Sequence, residues 1–319
     1  MRDSFHLMKS IGIICTLLIF LMGCASYQQT GIEVASKGAY CDPRNEPVYD
    51  STFVPKKNID SILHSPLSSK YPQHLLLIAN ASGVLHLLQE MYEIEKQMRL
   101  NTGLTNLYLQ KKLQVSARLS LVATEVASME SEFSCERDRC QQVINYLSEK
   151  ENLKIRSSTA ASIVMGALTT IGTGATSDEQ RIKNIAIVGG TITAVLGLRT
   201  LFIKNRIEFS HARNVLADIW FKRMASTTYP ASIWYVLTEK SFTDEQKYPI
   251  NYYIRQRWQS QLESYSSSKE LKLEKLFFGE GGRYGIQELR IRENMLSLIQ
   301  VGVSLTNHDL KLLMVEMAK

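Results

Sequence analysis

The chain of 319 residues is 45% hydrophobic and 21% charged and contains 7 prolines, a composition that excludes a disordered or collagen-like protein. Its formal net charge of +6 is modest and does not indicate a nucleic-acid-binding surface, which would require Lys and Arg clustered on one face. The length allows a sizeable core, in one large domain or in two ordinary ones.

Residues 1–23 have the organisation of an export signal. Arg2 and Lys9 precede an apolar stretch, residues 11–22, which is too short to span a bilayer. A small residue, Gly23, then stands directly before Cys24. This order predicts a cleavable signal peptide rather than a transmembrane helix.

The sequence Leu-Met-Gly-Cys at residues 21–24 resembles the lipobox of bacterial lipoproteins, and the resemblance is confined to the leader. It implies that the leader is removed before Cys24 and that the Cys24 thiol carries a diacylglycerol. Each buried methylene of such a lipid contributes about 0.8 kcal/mol to membrane binding. The alternative is an ordinary secretory signal with a cysteine there by chance.

The residues after Cys24 bear on the membrane in which the protein resides. In the enterobacterial members of the lipoprotein family that this leader resembles, an aspartate directly after the lipidated cysteine implies retention in the inner membrane. Here Ala25 and Ser26 follow Cys24 instead. We therefore expect an outer-membrane lipoprotein of the cell envelope that faces the periplasm.

The mature chain begins with a segment of low hydrophobic periodicity. Residues 24–71 contain four of the prolines and are predicted to form an extended tether, or a strap that lies on the body. Residues 72–225 are predicted to form a long-helix domain, because apolar residues recur at steps of three and four from His74 to Met98 and again over 104–153. Coiled-coil-like packing of these two helices is expected.

Within that domain, residues 157–203 are predicted to form an apolar helical hairpin of the glycine-zipper type. Spacing of four places small residues on one ridge of each arm, so that two helix backbones can approach closely. The predicted packing residues are Ser162, Gly166, Thr170 and Gly174 on the first arm and Ala186, Gly190 and Ala194 on the second, with Gly189, Thr193 and Gly197 on an adjacent row. Ser177 and Gln180 have the spacing of a capping box for the second arm.

The location of the hairpin has three interpretations. The favoured one is a hairpin buried in the body of the protein, because its uninterrupted apolar stretches, 163–176 and 185–198, are shorter than the roughly 20 residues needed for a membrane span. A spanning segment would also tend to be retained in the inner membrane during export. Insertion into a bilayer and self-association are the alternatives.

The C-terminal region, residues 226–319, is predicted to be helical. The preceding helix is expected to continue to about residue 224, with breaks at 229–230 and 248–249, a mobile loop at Gly279–Gly285 and a last amphipathic helix over 286–317. No stretch shows the sustained alternation of a sheet. The predicted class is all-α, with long amphipathic helices packed around the small-residue hairpin.

An aromatic cluster lies between residues 220 and 265. Aromatic faces next to cations can stack on sugars or receive a peptide, and they also fill hydrophobic cores. The core interpretation is favoured, and the candidate binding residues are Trp220, Trp234, Tyr252, Arg255 and Trp258.

Three cysteines remain in the mature chain besides Cys24, namely Cys41, Cys135 and Cys140. The periplasm is oxidising, so one disulfide and one free thiol are expected. On one continuous helix, Cys135 and Cys140 would be roughly 8 to 9 Å apart at their Cα atoms, too far to be bridged. Either the helix breaks between them or Cys41 pairs with one of them.

Sequence signatures of catalysis are weak. No histidine stands in a metal-binding motif, no Gly-x-Ser-x-Gly elbow is present, and the glycines of 279–285 lack the Lys-Ser or Lys-Thr of a phosphate loop. The sequence predicts no enzyme, cofactor or metal site and no nucleic-acid partner. It favours a membrane-anchored scaffold that binds an unidentified envelope protein. A pore-forming or membrane-remodelling protein that uses hairpin 157–203 is the first alternative, and a glycan- or peptidoglycan-binding protein is the second.

Overall fold

A computed structural model of the chain describes residues 29–38, 40–42, 53–98 and 102–319. The predicted signal peptide and Cys24 lie outside the described residues. Within them the predicted all-α class is confirmed, because the chain forms eleven α-helices and one two-stranded sheet. The helices are α1 (Gln29–Lys37), α2 (Ile59–Leu63), α3 (Gln73–Ala81), α4 (Leu85–Met98), α5 (Thr105–Gly174), α6 (Glu179–Arg199), α7 (Ala217–Trp220), α8 (Ala231–Thr238), α9 (Ile250–Glu263), α10 (Ser267–Phe278) and α11 (Ile286–Ala318).

The fold is organised around α5, a continuous helix of 70 residues, which corresponds to a length of about 105 Å. The N-terminal half of α5 buries one face, a stripe on which apolar residues recur at steps of three and four: Val115, Leu119, Val122, Val126, Met129 and Phe133. The 33-residue helix α11 packs along this stripe with its own buried face, and α3, α4, α8, α9 and α10 complete the core. The predicted boundary at 225/226 therefore does not separate two cores.

The extended tether predicted for residues 24–71 is wrong in the part that the structure describes, which lies on the body, as in the alternative of a strap. α1 and α2 are helical, and a 3₁₀ turn covers Pro66–Ser69. Ala35, Ile62 and Leu67 are buried in the common core. The physical reason is that these helices are too short to show a helical period in sequence, and packing against the body stabilises them.

The single helix predicted over 74–98 is divided at Gly83. This residue has φ +73°, a left-handed conformation that ends α3 before α4 begins. A Cβ at Gly83 would lie 2.6 Å from the Cα of Phe53, so a side chain does not fit there.

A small sheet contradicts the prediction of an entirely helical chain near residue 210. β1 (Ile207–Ser210) pairs antiparallel with β2 (Gly281–Tyr284), with Ile207 opposite Tyr284. The predicted helix up to residue 224 is thus interrupted, and the loop predicted over 279–285 is largely a strand. Four residues are too few to show strand alternation. Gly281 and Gly282 have φ values of +111° and +150°, which side-chain-bearing residues rarely adopt.

Candidate functional site

The hairpin, residues 157–203, is the most unusual surface of the described chain. It consists of the last part of α5, a short turn, α6 and the 3₁₀ turn Thr200–Phe202. The Asp178 side chain caps α6 by accepting hydrogen bonds from the backbone N–H groups of Gln180 and Arg181, at 3.0 and 3.3 Å. The predicted capping residue, Ser177, was therefore wrong by one position.

The hairpin is exposed, so the favoured interpretation of a hairpin buried in the body is wrong. α6 packs against α5 and the following 3₁₀ turn. Large apolar side chains on both arms remain more than half exposed, including Ile163, Leu168, Ile171, Ile187, Val195 and Leu198. Residues Glu179–Phe202 form a 24-residue helical segment that is long and apolar enough to cross a membrane, and only 6% of its apolar window is buried.

The two arms contact each other at Gly189 and Thr193 of the adjacent row and, of the predicted packing residues, at Ser162. A Cβ at Gly189 would lie 2.8 Å from the Cβ of Thr169 and 2.7 Å from its Cγ2, so the backbones approach closely there. Gly172 lies opposite Ile185, and the Ser162 hydroxyl donates to the carbonyl oxygen of Thr193 at 3.3 Å. Ser162 is thus the predicted packing residue that forms a hydrogen bond with the opposite arm.

The remaining predicted packing residues face away from the opposite arm or into open space. A Cβ at Gly166, Gly174 or Gly190 would meet no atom within 4 Å. Thr170, Ala186 and Ala194 are exposed. The reason is geometric, because a spacing of four turns 40° beyond a full rotation at each step, so that a row of four residues drifts by about 120° around the helix.

Charges are distributed unevenly along the hairpin. No charged residue occurs between Ser157 and Ser177 or between Asn184 and Leu198. At the tip, ion pairs join Asp178 to Arg181 at 3.4 Å and Glu179 to Lys183 at 2.7 Å, so the four tip charges balance. The hairpin is therefore apolar over most of its length and neutral at its tip.

The base of the hairpin is positively charged. Lys154, Arg156, Arg199 and Lys204 are all exposed there, and within the described ranges none of them forms an ion pair. Lys154, Arg199 and Lys204 line one open pocket of about 490 Å³ together with Phe202. The Lys154 ammonium group donates to the Asn205 side-chain oxygen at 2.6 Å, which holds it beside this pocket.

The aromatic residues proposed as a binding surface belong mainly to the core, as the favoured interpretation predicted. Trp220, Trp234 and Trp258 are buried, and Tyr252 is half-buried. The Trp220 ring stacks on Phe278 at 4.2 Å.

Arg255 also serves this packing. Its guanidinium lies over the Trp220 ring at 5.1 Å, and its Nε donates to the Trp220 carbonyl oxygen at 3.0 Å. Arg255 is thus occupied by the body of the protein, which leaves the three tryptophans without an exposed face suited to a sugar.

The cysteines adopt one of the arrangements left open by the sequence. Cys41 forms a disulfide with Cys135, with their Cα atoms 5.7 Å apart, and Cys140 is a buried free thiol. Because α5 is continuous through both positions, Cys135 and Cys140 cannot pair. Burial raises the pKa of the Cys140 thiol to about 12, which makes it unreactive as a nucleophile.

A buried charged cluster near this disulfide was not predicted. Arg139 forms an ion pair with Glu136 and donates to the carbonyl oxygens of Ala35 and Ser210, at 2.9 and 2.7 Å. The Arg139 guanidinium therefore connects α5 to α1 and β1. The one sequence signal for this cluster was the spacing of Glu136 and Arg139, three residues apart in a charged stretch. The same spacing is typical of an exposed ion pair on a helix surface, so the sequence does not distinguish the two.

His211 and Tyr284 form a second buried polar contact, beneath the sheet. The His211 Nε2 and the Tyr284 hydroxyl are 2.9 Å apart, and that hydroxyl donates to the Leu276 carbonyl oxygen at 2.8 Å. Burial, assisted by the nearby Arg292, lowers the pKa of His211 to about 2. The imidazole is therefore neutral in the folded protein over the physiological pH range.

These features single out the hairpin as the candidate functional site, because the other predicted residues contribute to packing. No protein-family model matches the chain, and neither a curated protein nor a solved structure shows significant similarity to it.

Proposed function

We propose that the protein is an envelope lipoprotein that inserts the hairpin into a lipid bilayer. The observation that carries this proposal is the exposure of an uncharged, apolar two-helix segment that nothing in the described chain covers. Soluble monomers rarely expose apolar patches larger than a few hundred Å², and larger patches mark interaction or membrane sites.

A bilayer fits this surface better than a groove on a partner protein. A helix that docks in a groove presents one apolar stripe, with polar residues opposite. On α6, by contrast, the exposed residues between Asn184 and Leu198 are aliphatic on one side and small on the other, and no charge interrupts them. An uncharged surface on all exposed sides is suited to hydrocarbon.

The dimensions of the hairpin also match a bilayer. From Ser157 to Gly174 the first arm rises by about 26 Å, and a hydrocarbon core is about 30 Å thick. Insertion from the tip would bring the paired tip charges near the far headgroup region and leave the cationic base at the near one. The strictly apolar stretches are shorter than a membrane span, but the Thr, Ser and Gly residues next to them carry no charge. They lengthen the part of each arm that can lie in a bilayer.

Insertion can be measured with a fluorescent reporter on the mature chain. The Cys24→Ala substitution removes the predicted lipid, and Ile171→Cys, near the tip and 67% exposed, provides an accessible thiol for an environment-sensitive dye. Gln141→Cys, exposed on the body part of α5, is the matched control. With phosphatidylcholine vesicles we expect a blue shift and quenching by nitroxide lipids at position 171 and neither at position 141.

Charges placed on the hairpin should abolish the signal. Leu168→Asp combined with Val188→Asp puts two carboxylates on exposed apolar positions, and each should cost about 3 kcal/mol in the hydrocarbon, so insertion should weaken by at least about 100-fold. Leu113→Asp with Leu121→Asp makes the same change on exposed positions of α5 in the body.

Two results would contradict the proposal. One is a reporter at position 171 that stays in an aqueous environment with every vesicle. The other is that the protein sediments as a dimer and that Leu168→Asp with Val188→Asp, but not the control variant, makes it monomeric. The hairpin would then serve self-association.

A further inference from the structure

The base of the hairpin combines features that insertion alone does not require. Four exposed cations, Lys154, Arg156, Arg199 and Lys204, surround the point where both arms leave the body. Insertion of an apolar hairpin would proceed equally well with neutral polar residues at that level.

These cations differ from the other charges of the hairpin in forming no ion pair within the described residues. The tip cations Arg181 and Lys183 are each paired with a carboxylate, whereas the base cations have no ion pair within the described residues. Glu149 and Glu151 lie toward the body on α5, and Glu151 accepts a hydrogen bond from the Asn205 backbone N–H at 2.7 Å. The base therefore presents four exposed cations, none of which is neutralised by an ion pair within the described residues.

The apolar residues at the base fix the depth at which these cations would stand. Leu201 and Phe202 are 70% and 79% exposed, and Phe202 lines the same pocket as Lys154, Arg199 and Lys204. If these two side chains enter the edge of the hydrocarbon, the ammonium and guanidinium groups reach the level of the lipid phosphates. Long cationic side chains at the end of a membrane segment extend in this way to the interface.

We propose that the base of the hairpin is a binding site for anionic phospholipid headgroups, formed by Lys154, Arg156, Arg199 and Lys204. The inference rests on the proposed insertion and specifies its lipid. Guanidinium groups bind phosphate through paired N–H donors and ammonium groups bind it as point charges. Each Lys or Arg near an anionic membrane surface is worth about fivefold in binding, so four should provide about two to three orders of magnitude at low salt.

The test compares two quadruple variants of equal net charge. The base variant carries Lys154→Gln, Arg156→Gln, Arg199→Gln and Lys204→Gln. The control carries Lys240→Gln, Lys247→Gln, Arg257→Gln and Lys272→Gln, at exposed positions elsewhere on the body. Both are made in the Cys24→Ala mature chain with the dye at position 171. Binding is titrated with phosphatidylcholine vesicles and with vesicles that also contain phosphatidylglycerol.

We expect phosphatidylglycerol to increase the affinity of the wild type and of the control variant by about 100-fold or more at low salt, and that of the base variant by less than about tenfold. Added chloride should reduce the increase, because salt screens exposed charges. Inorganic phosphate at the same ionic strength should act no more strongly than chloride.

Several outcomes would overturn the inference. Equal losses in both quadruple variants would mean that only net charge matters. Stronger competition by phosphate than by chloride would indicate a site for the free anion. Insertion into phosphatidylcholine alone, with no further gain from phosphatidylglycerol, would refute the headgroup site while sustaining the proposed function. Absence of insertion from both vesicle types would refute the proposed function itself.

Discussion

The close approach of the two arms at Gly189 makes a sharp prediction about the hairpin. Replacing Gly189 by Leu should destabilise the hairpin, whereas the same replacement at the neighbouring Gly190 should not. A side chain at position 189 would have to displace Thr169, whose Cβ, Cγ2 and Oγ1 all lie within clash distance of the added Cβ. Around Gly190 there is no atom within 4 Å.

Thr169 is poorly able to move aside. It is β-branched, which restricts its rotamers in a helix, and its Oγ1 donates to the Met165 carbonyl oxygen at 2.8 Å. Overpacking of a closed contact typically costs about 1 to 3 kcal/mol. Both substitutions gain the same helix propensity over glycine, about 0.8 to 1 kcal/mol, so the difference between the variants isolates the clash.

The assay must report on the hairpin rather than on the whole chain, because the hairpin protrudes from the core. Native-state amide hydrogen exchange in solution measures its local opening free energy. If the opening free energy of the hairpin is lower by 1 to 3 kcal/mol in Gly189→Leu than in Gly190→Leu, the amides of α6 should exchange about 5- to 150-fold faster in Gly189→Leu. Equal exchange rates, or faster exchange in Gly190→Leu, would refute the contact between Gly189 and Thr169.

Three further predictions concern the body and the anchor. First, the mature Cys24→Ala chain should show no alkylated thiol when native, one when denatured without reductant and three after reduction, and two reactive thiols in the native chain would contradict the pairing. The Cys41→Ser substitution should lower the free energy of unfolding by about 2 to 5 kcal/mol, because the disulfide closes a loop of 94 residues. Second, His211 has its pKa lowered by burial, so the unfolded state binds the proton first and the contribution of His211 to stability falls as pH drops below about 6.5, by about 2 kcal/mol at pH 5. Urea unfolding at pH 8 and pH 5 should therefore show a change in unfolding free energy that is about 2 kcal/mol more unfavourable for wild type and for the exposed-site control His64→Gln than for His211→Gln. An equal pH slope in all three proteins would exclude His211 as the cause. Third, Cys24→Ala should abolish lipidation, and a metabolically incorporated clickable fatty acid that still labels the variant would place the anchor elsewhere.

The long apolar periodicities were sufficient to predict the helical class and the main buried stripe. From Val115 to Phe133 the steps of three and four carry a strong signal because they continue over five turns, and tertiary packing agrees with them. Helix geometry left two alternatives for the disulfide, either a break in the helix between Cys135 and Cys140 or a pairing of Cys41 with one of them. The structure then decided which cysteine Cys41 joins.

Short elements and burial were beyond the reach of the sequence. α1 and the strands at Ile207 and Gly281 span nine or fewer residues each, so pairing partners distant in the chain determine their conformation. The hairpin was recognised as apolar and small-residue-rich, but the same pattern suits a buried core helix and a membrane helix. What distinguishes them is that no element of the described chain covers residues 157–203, which a local pattern does not encode.

The continuity of α5 limits where the predicted lipid and the hairpin can lie relative to each other. Cys135 and Lys154 are 19 residues apart on one helix, so the disulfide stands about 28 Å from the base of the hairpin. Cys41 is tied to that point, and α1 (Gln29–Lys37), which precedes it, is packed on α5. The five residues from Cys24 to Gln29 reach at most about 18 Å if fully stretched. The disulfide, by joining the residue that follows α1 to α5, would therefore hold the predicted lipid beside the body instead of on a long tether.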